Sequence, residues 1–172
     1  KMPQSGVQLL VDRSGQVTAF CGATEIGQGS DDVLAAIIAE VLGIDPFDVR
    51  CVTGDTGMTP VDLGSYSSRV TVMMGNAAIQ AAQKVKDQIA RAASEQLEVS
   101  PDKLVFADGA VSFNGKSMSF AHAAGLAEEK FGTLGAVGSY KPPRAPGRYK
   151  GAGVGPSPAY SYTACVVEAE VD

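Results

Sequence analysis

Gly22-Ala-Thr-Glu-Ile-Gly-Gln-Gly-Ser30, running straight into Asp31-Asp-Val-Leu-Ala-Ala-Ile-Ile-Ala-Glu-Val-Leu42, is the stretch that decides the fold. Leu34, Ile37, Ile38, Val41 and Leu42 recur at helical spacing, Ser30 suits the N-cap and Gly43 stops the helix. A glycine-lined turn therefore opens onto a helix N-terminus, where unpaired backbone N–H groups and the positive end of the dipole favour an anionic or heteroatom-rich ligand. The turn is not a common nucleotide loop. Gly27-Gln28-Gly29 lacks the third glycine of the dinucleotide fingerprint and the Lys-Ser/Thr of a phosphate loop. Asp31 and Asp32 already complement the dipole and would repel a pyrophosphate laid on it. A neutral, hydrogen-bonding ring fits better, with Gln28 offering both an amide donor and a carbonyl acceptor.

Outward from this stretch, the apolar runs 7–11 and 16–21 flank Asp12-Arg-Ser-Gly15 and predict a β-hairpin. Residues 49–53 are β-branched and apolar enough for a further strand. The polar, turn-rich segment Thr59-Pro-Val-Asp-Leu-Gly-Ser-Tyr-Ser-Ser-Arg69 then feeds an Ala-rich helix over 70–96. Two Gly/Ser/Thr loops, each presenting a helix start, suggest a shared ligand site between them. Ser67 and Ser68 suit a helix cap and a ligand contact equally well. Beyond Pro101, strands at 103–107, 110–113 and 116–119 are joined by Asp108-Gly109 and Asn114-Gly115, two hairpin signals in succession. A helix at 120–130, a Gly/Pro-rich loop over 132–158 and a final alternating strand at 160–171 complete the reading. The expected fold is α/β (α+β), a mixed sheet with packed helices, in one unit over 1–172: a cofactor-loop part at 1–100, and a β-meander, short helix, Gly/Pro loop and strand at 101–172. Strands set so near both ends suggest a piece cut from a longer protein.

Composition narrows the function classes. The 172 residues are 45% hydrophobic and 19% charged, ordinary for a globular protein. A net charge of -5 without a Lys/Arg cluster argues against a nucleic-acid binder. No apolar run approaches the roughly 20 residues that span a membrane, and no charged-then-apolar leader opens the chain, so a cytoplasmic protein is expected. Cys21, Cys51 and Cys165 have no CxxC spacing and read as strand residues rather than a zinc or disulfide set. The sole histidine, His122, reads as an ordinary helix residue.

Glu25-Ile-Gly-Gln-Gly29, taken with Gly64-Ser-Tyr-Ser-Ser-Arg-Val-Thr71 and Gly75-Asn-Ala-Ala-Ile-Gln-Ala-Ala82, resembles the molybdopterin-binding large subunit of the molybdenum hydroxylases, the family of xanthine dehydrogenase, aldehyde oxidase and carbon monoxide dehydrogenase. Ala39-Glu-Val-Leu-Gly-Ile44, Val52-Thr-Gly-Asp-Thr56, Pro60 and Val167-Glu-Ala-Glu-Val-Asp172 support the resemblance, which covers nearly the whole chain. Within the family, Asp62-Leu-Gly-Ser-Tyr-Ser-Ser-Arg69 looks most like the large (alpha) subunit of 4-hydroxybenzoyl-CoA reductase.

The resemblance implies that Gly27, Gln28 and Gly29 approach the molybdopterin, with Gln28 hydrogen-bonding it, and that Ser67 and Ser68 lie beside it. Tyr66 could face an aromatic substrate or serve packing, and Arg69 would support the loop through Asp62 or Asp55. The resemblance also implies iron–sulfur and flavin (FAD) subunits or domains as partners, a homo-oligomer of the complex, and a small aromatic or heterocyclic substrate. Most members oxidise an electron-poor carbon, whereas the reductase subgroup removes a phenolic hydroxyl from an aromatic acyl-CoA. Family members place a glutamate base in a Gly-x-Gly-Glu segment; Gly151-Ala-Gly-Val-Gly-Pro156 lacks it, so no catalytic residue or metal ligand is expected within 1–172, and the isolated piece is expected to be inactive. The rival expectation is a non-catalytic assembly or interaction domain of the same fold.

Overall fold

The computed structural model describes residues 5–66, 68–142 and 164–171. β1 (Ser5–Val11) and β2 (Val17–Cys21) form the expected antiparallel hairpin. Its turn is held by the Asp12 carboxylate, which accepts from the Ser14 and Gln16 amides at 2.8 and 3.2 Å. From β2 the chain passes through loop 22–29 into α1 (Ser30–Leu42) and returns as β3 (Val49–Thr53), which runs parallel to β2 with Ala19 opposite Cys51. A parallel neighbour demands a crossover, and α1 is that crossover. The sheet order is β3-β2-β1-β7, with β7 (Leu134–Tyr140) antiparallel to β1.

Alternation sends Val7, Leu9 and Val11 of β1 and Val17, Ala19 and Cys21 of β2 to one fully covered face. On that face lie α1, through Leu34, Ile38 and Leu42, and α2 (Val70–Leu97), through Met74, Ala77, Ala78, Ala81, Ala82, Val85 and Ile89. The α2 residues recur at three and four, the spacing of one helix face. Beyond α2, β4 (Val105–Ala107), β5 (Ala110–Phe113) and β6 (Lys116–Ser119) form the expected meander. Its two turns place Asp108, Gly109, Asn114 and Gly115 at φ of 51, 71, 47 and 81°, the double left-handed geometry that Asp-Gly and Asn-Gly favour. α3 (Phe120–Phe131) follows at once, capped by the Ser119 hydroxyl, which accepts from the His122 amide at 3.1 Å. The mixed α/β fold with packed helices is therefore as expected from the sequence.

Three expectations need correction. Leu134–Tyr140 is a core strand and not part of a loop. Its small residues look weak as a strand in isolation, yet a Cβ at Gly138 would overlap the Ala77 carbonyl oxygen and the Ala81 nitrogen, so glycine is what lets α2 lie on this strand. Conversely, 164–171 form no strand and are exposed, leaving Cys165 exposed as well, while 160–163 lie outside the described residues. Alternation produces a strand only where a neighbour satisfies its backbone, and β7 ends the sheet among the described residues. Finally, Pro101–Lys103 is a short 3-10 turn, so the first meander strand begins at Val105.

Candidate functional site

Loop 22–29 leaves the end of β2 and reaches α1 through two left-handed glycines, Gly27 at φ 98° and Gly29 at φ 75°. A Cβ on either would meet nothing within 4 Å, so backbone conformation selects glycine here and the outer face of the turn is open. Gly29 is the N-cap, not Ser30, and its carbonyl accepts from the Val33 amide at 3.1 Å. The terminus is already occupied by a side chain. Glu25 accepts from the amides of Gly27 at 2.6 Å and Gly29 at 3.1 Å through one oxygen, and from the Asp31 amide and Ser30 hydroxyl, each at 3.3 Å, through the other. Desolvation pushes this carboxyl up, but hydrogen bonds from Gly29, Asp31, Gly27 and Ser30 outweigh it and bring it down to about 2.

Gln28 is exposed, yet its amide folds back into the turn. Its nitrogen donates to the Thr24 carbonyl at 3.0 Å and the Ser30 hydroxyl at 2.9 Å, and its oxygen accepts from the Ile26 amide at 2.6 Å. Asp31 is turned toward the sheet, accepting from the Thr53 hydroxyl at 3.0 Å at the end of β3.

The second loop, before α2, is organised around an ion pair. Arg69 is fully buried, and one guanidinium nitrogen donates to Asp62 Oδ1 at 2.6 Å and to the Gly64 carbonyl at 2.8 Å. Its other terminal nitrogen donates to Ser5 Oγ at 3.2 Å and Asp62 Oδ2 at 3.5 Å. Asp62 also accepts from the Ser5 hydroxyl and from the Gly64 amide at 2.9 Å. Burial raises the Asp62 carboxyl, but Arg69, Ser5 and the Gly64 amide more than offset this and hold it below the usual range. Of the two carboxylates considered for Arg69, Asp62 is the partner.

Tyr66 is 48% exposed with its ring 5.7 Å from the Arg69 guanidinium carbon, so one face packs on the cation while the rest remains open. Ser68 is exposed in the left-handed region at φ 49°, and no side chain caps α2. Ser67 lies outside the described residues. The loops touch directly, because Ser65 Oγ donates to the Thr24 carbonyl at 2.6 Å and a Cβ on Gly22 would overlap the Pro60 carbonyl oxygen. Asp62 was expected as one of two partners for Arg69, whereas Glu25, Ser5, Ser65 and Gly22, which also build the site, have no individual role in the sequence reading. The available signal was an acidic residue two positions before each loop glycine, Glu25 before Gly27 and Asp62 before Gly64.

A family model for the molybdopterin cofactor-binding domain matches residues 1–172. The chain belongs to that family. It is 44% identical over 105 residues to the gamma subunit of the 6-hydroxypseudooxynicotine dehydrogenase complex of Paenarthrobacter nicotinovorans, covering 61% of this chain and 13% of that protein. It is 37% identical over 106 residues to the xanthine dehydrogenase molybdenum-binding subunit of Escherichia coli O157:H7, covering 61% and 14%. Carbon monoxide dehydrogenase from Oligotropha carboxidovorans superposes with a TM-score of 0.73 at 31% identity, covering 83% of this chain and 18% of the other. The chain thus spans less than a fifth of these relatives' lengths. This molybdopterin cofactor-binding domain is of the kind found in the large subunits of xanthine dehydrogenase and carbon monoxide dehydrogenase.

The donor set of the domain suits a pterin better than a phosphate. A flat, heteroatom-rich ring can approach Gly27 and Gly29 where no side chain stands in the way. Gln28 Oε1 keeps acceptor capacity beyond its bond to Ile26. An anionic group on the same turn would meet the Glu25 carboxylate, which already holds its amides. His122 lies elsewhere, on α3, with Nε2 3.2 Å from Gln96 Oε1. Among the described residues no helix is long and apolar enough to cross a membrane.

Proposed function

We propose that this domain forms one wall of the molybdopterin site in the molybdenum-binding subunit of a molybdenum hydroxylase-type oxidoreductase. The observation that carries the reading is the junction of the two loops, made by the Ser65–Thr24 hydrogen bond and the Gly22–Pro60 contact. It joins the Gly27-Gln28-Gly29 turn to the loop bearing Tyr66 and Ser68. In this reading Gly27 and Gly29 let the ring system approach the backbone, Gln28 and Ser68 hydrogen-bond it, and Ser67 belongs to the same contact set. Tyr66 borders the substrate side. When bound, the molybdenum cofactor supplies the two-electron redox chemistry, and these residues bind and orient it.

The substrate class is a small aromatic or heterocyclic molecule, as the names of the 6-hydroxypseudooxynicotine and xanthine dehydrogenases suggest. Iron–sulfur and flavin modules, fused or separate, would carry the electrons, and the complex would assemble as a homo-oligomer. Reductive dehydroxylation of an aromatic acyl-CoA ranks below this. The run that suggested it, 62–69, owes Asp62, Gly64 and Arg69 to the internal clamp rather than to a ligand.

The test is the molybdenum and released-pterin content of the full-length subunit, purified from a host that matures the cofactor, beside Gln28→Ala. Near-stoichiometric metal and pterin, reduced several-fold in the variant, is the expected result. Folded wild-type subunit carrying neither, with a control enzyme matured in the same host, would instead make this an assembly domain.

A further inference from the structure

We propose that Glu25 is the positioning residue of the first cofactor loop, its carboxylate standing where an external anion would otherwise sit at the start of α1. The proposal rests on the molybdopterin reading above. An α-helix begins with several backbone N–H groups lacking intrahelical partners, and a short polar residue at the N-cap ordinarily serves one of them. Here the N-cap is Gly29, which has no side chain to offer. Glu25, four positions upstream, reaches back over the turn instead. It gathers the amides of Gly27, Gly29 and Asp31 together with the Ser30 hydroxyl.

Two consequences follow. The left-handed conformations of Gly27 and Gly29 are tied to a group within the loop, so the turn holds its shape before a ligand arrives and loses little freedom on binding. The positive end of α1 is neutralised internally, so the loop recognises its ligand through the open outer face of the glycines and through Gln28 rather than through the helix terminus. The depressed Glu25 carboxyl, at about 2, agrees with a carboxylate that remains ionised throughout the physiological range.

Chemical rescue in the full-length subunit tests this. Hydrogen exchange is followed in the peptide covering 22–33 for wild type, Glu25→Ala and Glu25→Gln. Sodium acetate at roughly 0.1 M is compared with sodium chloride at the same ionic strength. In Glu25→Ala, exchange at these amides should rise about tenfold or more, in keeping with the loss of charge-assisted hydrogen bonds, and acetate but not chloride should restore it. The wild type should ignore acetate, and retained pterin should fall in the variant and recover with acetate. A residue that merely packs would not respond to a small carboxylate.

Glu25→Gln keeps the length and loses the charge. It should exchange faster than wild type without rescue, and it reads the charge requirement should Glu25→Ala not accumulate as folded protein. Unchanged exchange in either variant, or acceleration in Glu25→Ala that acetate does not reverse, overturns the proposal. Wild-type subunit without pterin, with exchange in Glu25→Ala still restored by acetate, would sink the cofactor reading while leaving Glu25 as the residue that holds the loop.

Discussion

Glu25 and Asp62 each take the amide of a glycine two positions later, and each is held ionised by donors that are fixed in the fold. Both carboxyls have folded-state pKa values below their unfolded ones. Their stabilisation is therefore complete above the unfolded values of about 4 and is lost as pH falls through the folded ones. Amide protection in 22–33 and 60–72 of the full-length subunit should accordingly hold from pH 7 to about 5. It should decline below about pH 4 and, for the Glu25 loop, continue to fall toward 2. Asp62→Asn imposes the acid state of the second loop at neutral pH. Leaving a buried Arg69 without its carboxylate should cost about 3–5 kcal/mol, readable as exchange free energy over 60–72. Protection that is flat down to pH 2, or an Asp62→Asn subunit as protected as wild type, would contradict this account. At this scale the sequence disclosed which residue types line the site, but not their directions. Gln28 reads as a reaching amide, yet Thr24, Ile26 and Ser30 draw it inward. Those contacts depend on two left-handed glycines whose φ no pattern of types reports.

Between elements, glycines set the distances. Gly22 at the end of β2 and Gly138 in β7 both sit where a Cβ would overlap a carbonyl oxygen, of Pro60 and Ala77 respectively. The two substitutions should nevertheless fail differently. Gly138→Ala pushes α2 off a core strand, so it should lower stability by about 1–3 kcal/mol or prevent folding, as overpacking does. Gly22→Ala pushes only one loop from the other, away from the main core. The subunit should remain folded, with near-wild-type exchange in β1 and α2, while pterin content falls several-fold. Equal loss of core protection in both variants would mean that the loop junction is no separate unit. The hairpin, α1, α2, the meander and α3 are all legible because periodicity, caps and Asn-Gly or Asp-Gly turns are local signals. β7 was not, since Gly135, Ala136, Gly138 and Ser139 acquire strand character only against β1 and α2. The alternating run expected at 160–171 misled for the mirror-image reason, its described part, 164–171, having the pattern without a pairing strand among the described residues.

For the molecule as a whole, the decisive question is which proton acceptors the two loops can offer to chemistry at the cofactor. A general base must exchange a proton near working pH, and the loop carboxylates Glu25 and Asp62 are both held below that range, the first by backbone amides and the second by Arg69. Releasing either to act as a base would dismantle the loop it holds. His122 lies on α3, against Gln96 of α2, and belongs to neither loop. Among the described residues no group of three or more His, Cys, Asp or Glu side chains could hold a metal ion. In the proposed reading the two loops contribute shape and hydrogen bonds, and the acid–base chemistry comes from outside them. Residues 1–172 produced alone and given mature cofactor should show no substrate-dependent dye reduction above a cofactor-only control. The full-length subunit with its electron-transfer partners should reduce dye with a heteroaromatic substrate. Turnover by the isolated chain would mean that one of the loop carboxylates leaves its amides during the reaction, and exchange in 22–33 and 60–72 under turnover would show which.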